Sequence, residues 1–342
     1  MSRIRAWAAP AAGEALSAYE YDPGPLGEDQ VEIAVEHCGL CHSDLSMLDN
    51  EWGRSQYPFV PGHEIVGRIT AMGSRALGLQ VGQRVGLGWF SGSCLVCAPC
   101  TGGDHHLCQH GEETIVGRHG GFAERVRSHW RWAMPLPDSL DAAAAGPLFC
   151  GGITVFNPIL QCGVKPTDRV GVVGIGGLGH LAVQFLRAWG CEVTAFTSSD
   201  NKHDEAMSLG AHHVVNSRDD SVLKGLAGRF DFLLVTVNVS LNWPAYLATL
   251  AAHGRLHVVG AVLKPMAIPA FSLIGGAKSV SGSPLGSPAT LAKMLEFCGR
   301  HQIQPMVEHY AMTDCNAAVE RLRSGAARYR VVVSQEAAGR AD

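Results

Sequence analysis

Along the first third of the chain, apolar residues come in short runs that alternate with polar ones and are broken by Gly, Pro and acidic turns. Val31-Glu32-Ile33-Ala34-Val35-Glu36 has the period-two alternation that predicts a half-buried strand, and Ile65–Thr70 and Gly82–Gly88 read as two more. The pattern changes after residue 150. A buried strand runs from Asp168 into a glycine turn, Leu181–Trp189 has helical apolar spacing ending at Gly190, and Glu192–Phe196 reads as a strand again. Strands over Phe230–Val237 and Arg255–Val259 flank a predicted helix around Trp243–Ala252. Ser287-Pro288 is a helix start, leading to about Arg300, with a second helix near Asn316–Arg323 and a last strand over Tyr329–Val333. The pattern predicts an all-β region over 1–150, an α/β region with a parallel sheet over 151–284, and a tail, 285–342, that returns to the first region.

Composition narrows the class. The 342 residues are 46% hydrophobic and 17% charged, as expected of a globular protein of two ordinary domains. A formal charge of −4 with scattered Lys and Arg argues against nucleic acid as a partner. No apolar run reaches the roughly 18 residues of a membrane span, and Met1–Leu16 lacks a secretory core, so the expectation is a cytoplasmic protein with no membrane partner. The 11 cysteines fit that compartment, several having metal-ligand spacing and the rest standing alone.

Two groups of residues point to a metal. Cys41-His42-Ser43-Asp44 and, about twenty residues on, Pro61-Gly62-His63-Glu64 supply a thiolate, an imidazole and carboxylates, a mixture that suits zinc better than magnesium or calcium. Cys150 is the best candidate for one more ligand. Two Cys and one His leave a fourth position for water or substrate, the pattern of a catalytic site. Cys94, Cys97, Cys100 and Cys108, with two, two and seven residues between them on a Gly- and Pro-containing loop, predict a closed structural zinc with four thiolates. His105, His106 and His110 are not needed there and read as surface residues.

Gly174-Ile175-Gly176-Gly177-Leu178-Gly179 lies between a predicted strand and a predicted helix, the context in which G-x-G-x-x-G marks a Rossmann dinucleotide site. Thr197, Ser198, Ser199 and Lys202 follow the second strand, where an NAD enzyme usually carries Asp or Glu. Three hydroxyls and a lysine favour the 2′-phosphate of NADP over NAD, although the same residues also suit a helix cap. Trp52, Trp89 and Phe90 are equally readable as substrate channel or core.

These motifs resemble the zinc-dependent medium-chain alcohol dehydrogenases, most of all their cinnamyl-alcohol-dehydrogenase branch with its bacterial aldehyde reductases. The resemblance spans nearly the whole chain, from Cys38-Gly39-Leu40-Cys41-His42-Ser43-Asp44 and Tyr57–Glu64, through the four-cysteine lobe, Gly151–Val155 and Gly171–His180, to Tyr329–Val333. It implies a GroES-like β-rich catalytic domain, completed by the tail, and a doubly wound Rossmann domain. It implies a catalytic zinc on Cys41, His63 and Cys150 with Glu64 as an occasional ligand, and a second, structural zinc. By the same resemblance Asp44 orients the ligand imidazole, Ser43 hands a proton to or from the substrate oxygen, and His42 and Thr154 belong with the cofactor site. The implied activity is hydride transfer between NADP(H) and primary alcohols or aldehydes, aromatic or medium-chain, in a homodimer. An NAD-dependent polyol dehydrogenase and a non-catalytic dinucleotide sensor are the alternatives. One departure stands out: Ser46 occupies the position where the family usually has a relay histidine.

Overall fold

The structure, a computed structural model, describes residues 3–198 and 202–335. The chain divides into two compact units, one made of the residues up to Cys150 together with those from Gly286 onward, the other of Gly151–Leu285.

The first unit is built on a seven-stranded sheet whose long strand, Gln30–Leu40, pairs antiparallel with Glu64–Met72, with Arg125–His129 and with Arg330–Ser334. Val307–Ala311 extends the sheet parallel to Arg330–Ser334, while Arg84–Leu87 and Met134–Pro135 extend the other side. Val31, Ile33, Ile65, Val66, Val85, Leu87, Val331 and Val333 are buried and form the apolar interior. Register decides what the end of this sheet carries. Gly39 lies opposite Glu64 and Leu40 opposite Val331, which brings Cys41 and His63, each one residue beyond a paired position, and Arg330, paired with Val307, to the same end of the sheet.

The all-β expectation for residues 1–150 needs correction, because helices occur there too, including His42–Leu48, Ala98–Thr101 and Ala142–Ala145. His42–Leu48 starts where it does because Cys41 and Asp44 form a capping box: the Cys41 sulfur accepts from the Ser43 N–H, and the Asp44 carboxylate accepts from the Cys41 N–H. A strong local start signal thus interrupts a β-patterned region.

The second unit contains a six-stranded parallel sheet in the order His213–Asn216, Glu192–Thr197, Arg169–Val173, Phe230–Val235, Leu250–Val258, Ser279–Gly282. Numbered along the chain this is 3-2-1-4-5-6, the order of a Rossmann fold. Phe196, Phe230, Leu233, Tyr246 and Leu256 pack as its core. The helix expected around Trp243–Ala252 ends at Thr249, and the strand begins at once with Leu250. Alanine favours helix, but Leu250 is buried opposite Phe230, and sheet pairing overrides the local preference of Ala251 and Ala252. Among the described residues no single helix is long and apolar enough to cross a membrane.

Candidate metal centres and dinucleotide site

At the sheet edge of the first unit, Cys41 Sγ lies 3.3 Å from His63 Nε2, which lies 3.2 Å from Cys150 Sγ, and the two sulfurs are 4.0 Å apart. Tetrahedral zinc, bonded at about 2.3 Å to sulfur and about 2.0 Å to nitrogen, requires separations of roughly 3.5–3.8 Å, and the three observed values bracket that range. A carboxylate oxygen of Glu64 falls in the same group, all ligand atoms lying within 4.8 Å of one another. Glu64 Oε2 is buried and has no hydrogen-bond partner, while Oε1 is paired with Arg330, itself buried. An orphaned carboxylate oxygen beside two thiols suits a cation, so these residues fit zinc on their donor chemistry as well as their spacing.

Asp44 organises the cluster from behind. Its carboxylate, fully buried, accepts from the Cys41 N–H at 3.0 Å, the Gly62 N–H at 2.9 Å and His63 Nδ1 at 3.0 Å. It therefore ties both ligand-bearing segments together and fixes His63 with Nε2 toward the thiols. Burial pulls the imidazole down, but Asp44 and Cys41 outweigh it, and His63 is held well above its ordinary value. The Cys41 thiol is held well below its ordinary value, first by a hydrogen bond from Cys150 and then by His63; Cys150 is correspondingly raised. Of the two thiols Cys41 is therefore the more acidic. Burial lowers Arg330, and Glu64, Cys41 and Cys150 more than reverse this, so Arg330 stays charged.

Gly39 makes room for this arrangement. A Cβ there would sit 2.1 Å from Glu64 Oε2, so only glycine admits the carboxylate opposite it. The edge of Trp89 packs on His63 with ring centroids 5.0 Å apart, and Trp52 meets Trp89 at 6.0 Å. Ser43 is half-buried in the first turn of the helix, and His42 is exposed at its start.

Cys94, Cys97, Cys100 and Cys108 form the second group, again with sulfur atoms within 4.8 Å of one another. Backbone N–H groups of Val96 and Cys97 pull Cys94 down to about 6, while burial, with hydrogen bonds to Cys97 and Cys108, pushes Cys100 up to about 12; one thiolate forms readily, and a bound metal would displace the proton of Cys100. His106, expected at the surface, is buried: the short 3-10 turn His105–Leu107 carries its ring inward.

In the second unit the glycine turn joins Arg169–Val173 to the helix Gly179–Trp189. Gly174 has φ +95°, and a Cβ on Gly179 would meet the Gly174 carbonyl oxygen at 1.8 Å, so these two glycines serve the turn and the close packing of helix on strand. At Gly176 a Cβ would meet nothing within 4 Å. The open space above Gly176 is the cradle a pyrophosphate needs. Gly177 and Leu178 complete the turn, and Leu178, at the N-cap, supplies no capping side chain to the helix N-terminus. Thr197 ends the second strand and is buried, Ser198 is exposed, and Lys202 Nζ donates to the Ile175 carbonyl at 2.7 Å, which sets its ammonium beside the glycine turn. Ser199 lies outside the described residues. Thr154 is half-buried on the helix Gly151–Gln161.

Arg330 and Gly39 escaped the reading of the sequence. Arg330 is 266 residues from Glu64, so no spacing connects them; its one signal is a charge opening the apolar run Val331-Val332-Val333.

With zinc-ligand geometry on one unit and a dinucleotide fold on the other, the chain belongs to the zinc-binding alcohol dehydrogenases. Residues 27–138 match the alcohol dehydrogenase GroES-like domain, and residues 177–300 the zinc-binding dehydrogenase domain. Aldehyde reductase AdhA of Synechocystis is 54% identical over 97% of this chain and 98% of that protein. Among solved structures, a cinnamyl alcohol dehydrogenase of Sorghum bicolor superposes with a TM-score of 0.93 at 37% identity, covering 97% of this chain and 98% of that one. A cinnamyl alcohol dehydrogenase of Helicobacter pylori complexed with NADP(H) gives 0.90 at 28% identity, covering 97% and 98%.

Proposed function

We propose that this protein is a zinc-dependent aldehyde reductase and alcohol dehydrogenase that uses NADP(H) and acts on aromatic or medium-chain aldehydes and primary alcohols. The observation that carries the reading is the trio of Cys41, His63 and Cys150 braced by Asp44, with donor separations of 3.2–4.0 Å. Those three residues, with Glu64 as a further ligand, would hold a zinc ion, which when bound supplies Lewis-acid stabilisation of negative charge on the substrate oxygen. Cys94, Cys97, Cys100 and Cys108 would hold the structural ion. Asp44 keeps the His63 ring in the tautomer that leaves Nε2 free to ligate. Ser43 gives a proton to the oxygen of a reduced aldehyde and takes one from an alcohol being oxidised. Arg330 holds Glu64 by one oxygen only, and so leaves the other available to a cation.

Gly174, Gly176, Gly177, Leu178 and Gly179 would receive the pyrophosphate, with His42 and Thr154 contributing to the same ligand. Thr197, Ser198, Ser199 and Lys202 favour a 2′-phosphate, because no carboxylate at Thr197 or Ser198 repels it and the Lys202 ammonium stands at the turn. We read the protein as a cytoplasmic homodimer.

Steady-state reduction of benzaldehyde and cinnamaldehyde with NADPH and with NADH, on protein of counted zinc content, tests the reading. Faster turnover with NADPH at two zinc ions per chain is expected, and Lys202→Ala should raise the KM for NADPH by about tenfold while leaving that for NADH. Polyol oxidation with NAD and none with NADP would refute it.

A further inference from the structure

His257 stands in the apolar run Leu256–Val259 on an inner strand of the parallel sheet, 1% exposed, where covered faces call for apolar side chains. A buried imidazole needs partners, and this one has them. Its Nε2 lies 2.9 Å from Ser283 Oγ, and its Nδ1 lies 2.9 Å from Ser281 Oγ and 3.5 Å from Cys162 Sγ. Phe232 stacks on the ring with centroids 6.1 Å apart. Ser281 faces His257 across the ladder, but Ser283 stands beyond Gly282, the last residue of its strand. His257 therefore reaches past the sheet and holds the segment that leaves it.

A second buried side chain holds the other end of that segment. Asn157, 6% exposed on the helix Gly151–Gln161, donates from Nδ2 to the Leu285 carbonyl at 3.0 Å and to Gln161 Oε1 at 3.1 Å. Pro284, between the two tethered residues, has a fixed φ and no N–H to pair. Ser283-Pro284-Leu285 is thus a short, stiff stretch fixed at both ends, with Pro284 exposed.

The sheet places this stretch beside the dinucleotide site. The strands run parallel, so the glycine turn after Arg169–Val173, Thr236 after Phe230–Val235, Gly260 after Leu250–Val258 and Ser283 after Ser279–Gly282 stand along one edge. They are close neighbours: Thr236 Oγ1 donates to the Gly174 carbonyl at 2.9 Å, and a Cβ on Gly260 would meet the Val237 carbonyl oxygen at 1.9 Å. A dinucleotide whose pyrophosphate rests on the glycine turn extends both ways along that edge. Thr197 ends the strand on one side of the turn, where the adenosine half belongs, so the nicotinamide half runs the other way, past Thr236 and Gly260 toward Ser283. We propose that His257 and Asn157 are positioning residues for the nicotinamide half of NADP(H), holding Ser283-Pro284-Leu285 in the conformation against which that half packs. This rests on the dinucleotide reading above. Both side chains are buried and act through the backbone they hold.

Binding of NADPH and of adenosine 2′,5′-bisphosphate, which lacks the nicotinamide half, separates this role from a general brace. Both are titrated calorimetrically against the zinc-loaded protein, and the blue shift of NADPH fluorescence on binding reports the surroundings of the dihydronicotinamide ring. His257→Val keeps the apolar pattern of the strand and removes both serine bonds. It should weaken NADPH by about tenfold and reduce the blue shift, with the bisphosphate bound within about twofold of the parent. Asn157→Ala should do likewise from the other end, and His257→Gln, which still donates and accepts, should recover most of the affinity. NADPH affinity within twofold of the parent, or an unchanged blue shift, in folded Asn157→Ala protein would overturn the proposal, whatever His257→Val does to folding. Equal weakening of both ligands in either variant would also overturn it. A parent that binds neither NADPH nor the bisphosphate would instead refute the dinucleotide reading, and the proposal with it.

Discussion

Asp44→Asn isolates the part of the metal centre that lies behind the ligands. In the parent one buried carboxylate accepts three hydrogen bonds, from two backbone N–H groups and from His63 Nδ1. Asparagine has nearly the same volume but only one oxygen. If that oxygen keeps Gly62 and His63, the amide NH2 faces the Cys41 N–H, donor against donor, and the capping box is lost. A buried donor left unsatisfied costs about 1–3 kcal/mol, and the lost cap adds about 1 kcal/mol. Removing the charge also weakens the remaining bond to His63, which charge assistance had strengthened. The expected sum is a destabilisation of roughly 2–4 kcal/mol, with zinc affinity at the Cys41 site lower by about 10- to 100-fold. Urea unfolding of the zinc-loaded protein reads the first quantity, and competition with a chromophoric chelator reads the second. The four-cysteine ion should be retained by the variant and serves as the internal control. Zinc affinity within twofold of the parent, with stability lowered, would show that Asp44 braces the fold without orienting the ligand, and would refute the reasoning.

Cys150→Ser should reduce zinc from two ions per chain to one, abolish aldehyde reduction and leave NADPH binding intact; retained activity would remove Cys150 from the site. Gly39→Ala puts a methyl 2.1 Å from Glu64 Oε2 and should destabilise the protein by about 1–3 kcal/mol, read as a lower midpoint in thermal unfolding; an unchanged midpoint would mean that Glu64 has another place to go. His257 gives a pH dependence. Burial pushes it down to about 4, with Nδ1 near Ser281 Oγ and Nε2 near Ser283 Oγ, both at 2.9 Å. A depressed histidine is neutral in the fold and takes up a proton on unfolding, so its stabilisation is full above about 6.5 and is lost as pH falls from there to about 4. The loss should be on the order of 2 kcal/mol, and His257→Gln should flatten the urea midpoint between pH 6.5 and 4; a parallel slope in both proteins would refute it.

The chemistry of this chain was legible where it is local. Four cysteines within fifteen residues, a glycine turn between strand and helix, and a thiol three residues before a carboxylate are short-range patterns, because turns, caps and close ligands are made by neighbours in sequence. Capping shows how far local patterns reach and where they stop: Cys41 and Asp44 read in sequence as metal chemistry, and the structure shows that they also start a helix inside a β-patterned region. The end of the helix before Leu250 was misplaced because sheet pairing with Phe230, which is not local, outweighed two alanines.

By itself the sequence determined the class of protein, the two cysteine-bearing motifs that could hold a metal and the alternation of strand and helix in the cofactor unit. Tertiary structure alone decided that Gly39 lies opposite Glu64, that Arg330 returns from near the end of the chain to pair with it, and that Ser46 bonds to Glu51. The first two depend on strand register across segments tens to hundreds of residues apart, and the third on a single residue at positive φ. Register and chain reversal are fixed by packing of the whole sheet, and no window along the chain contains that information.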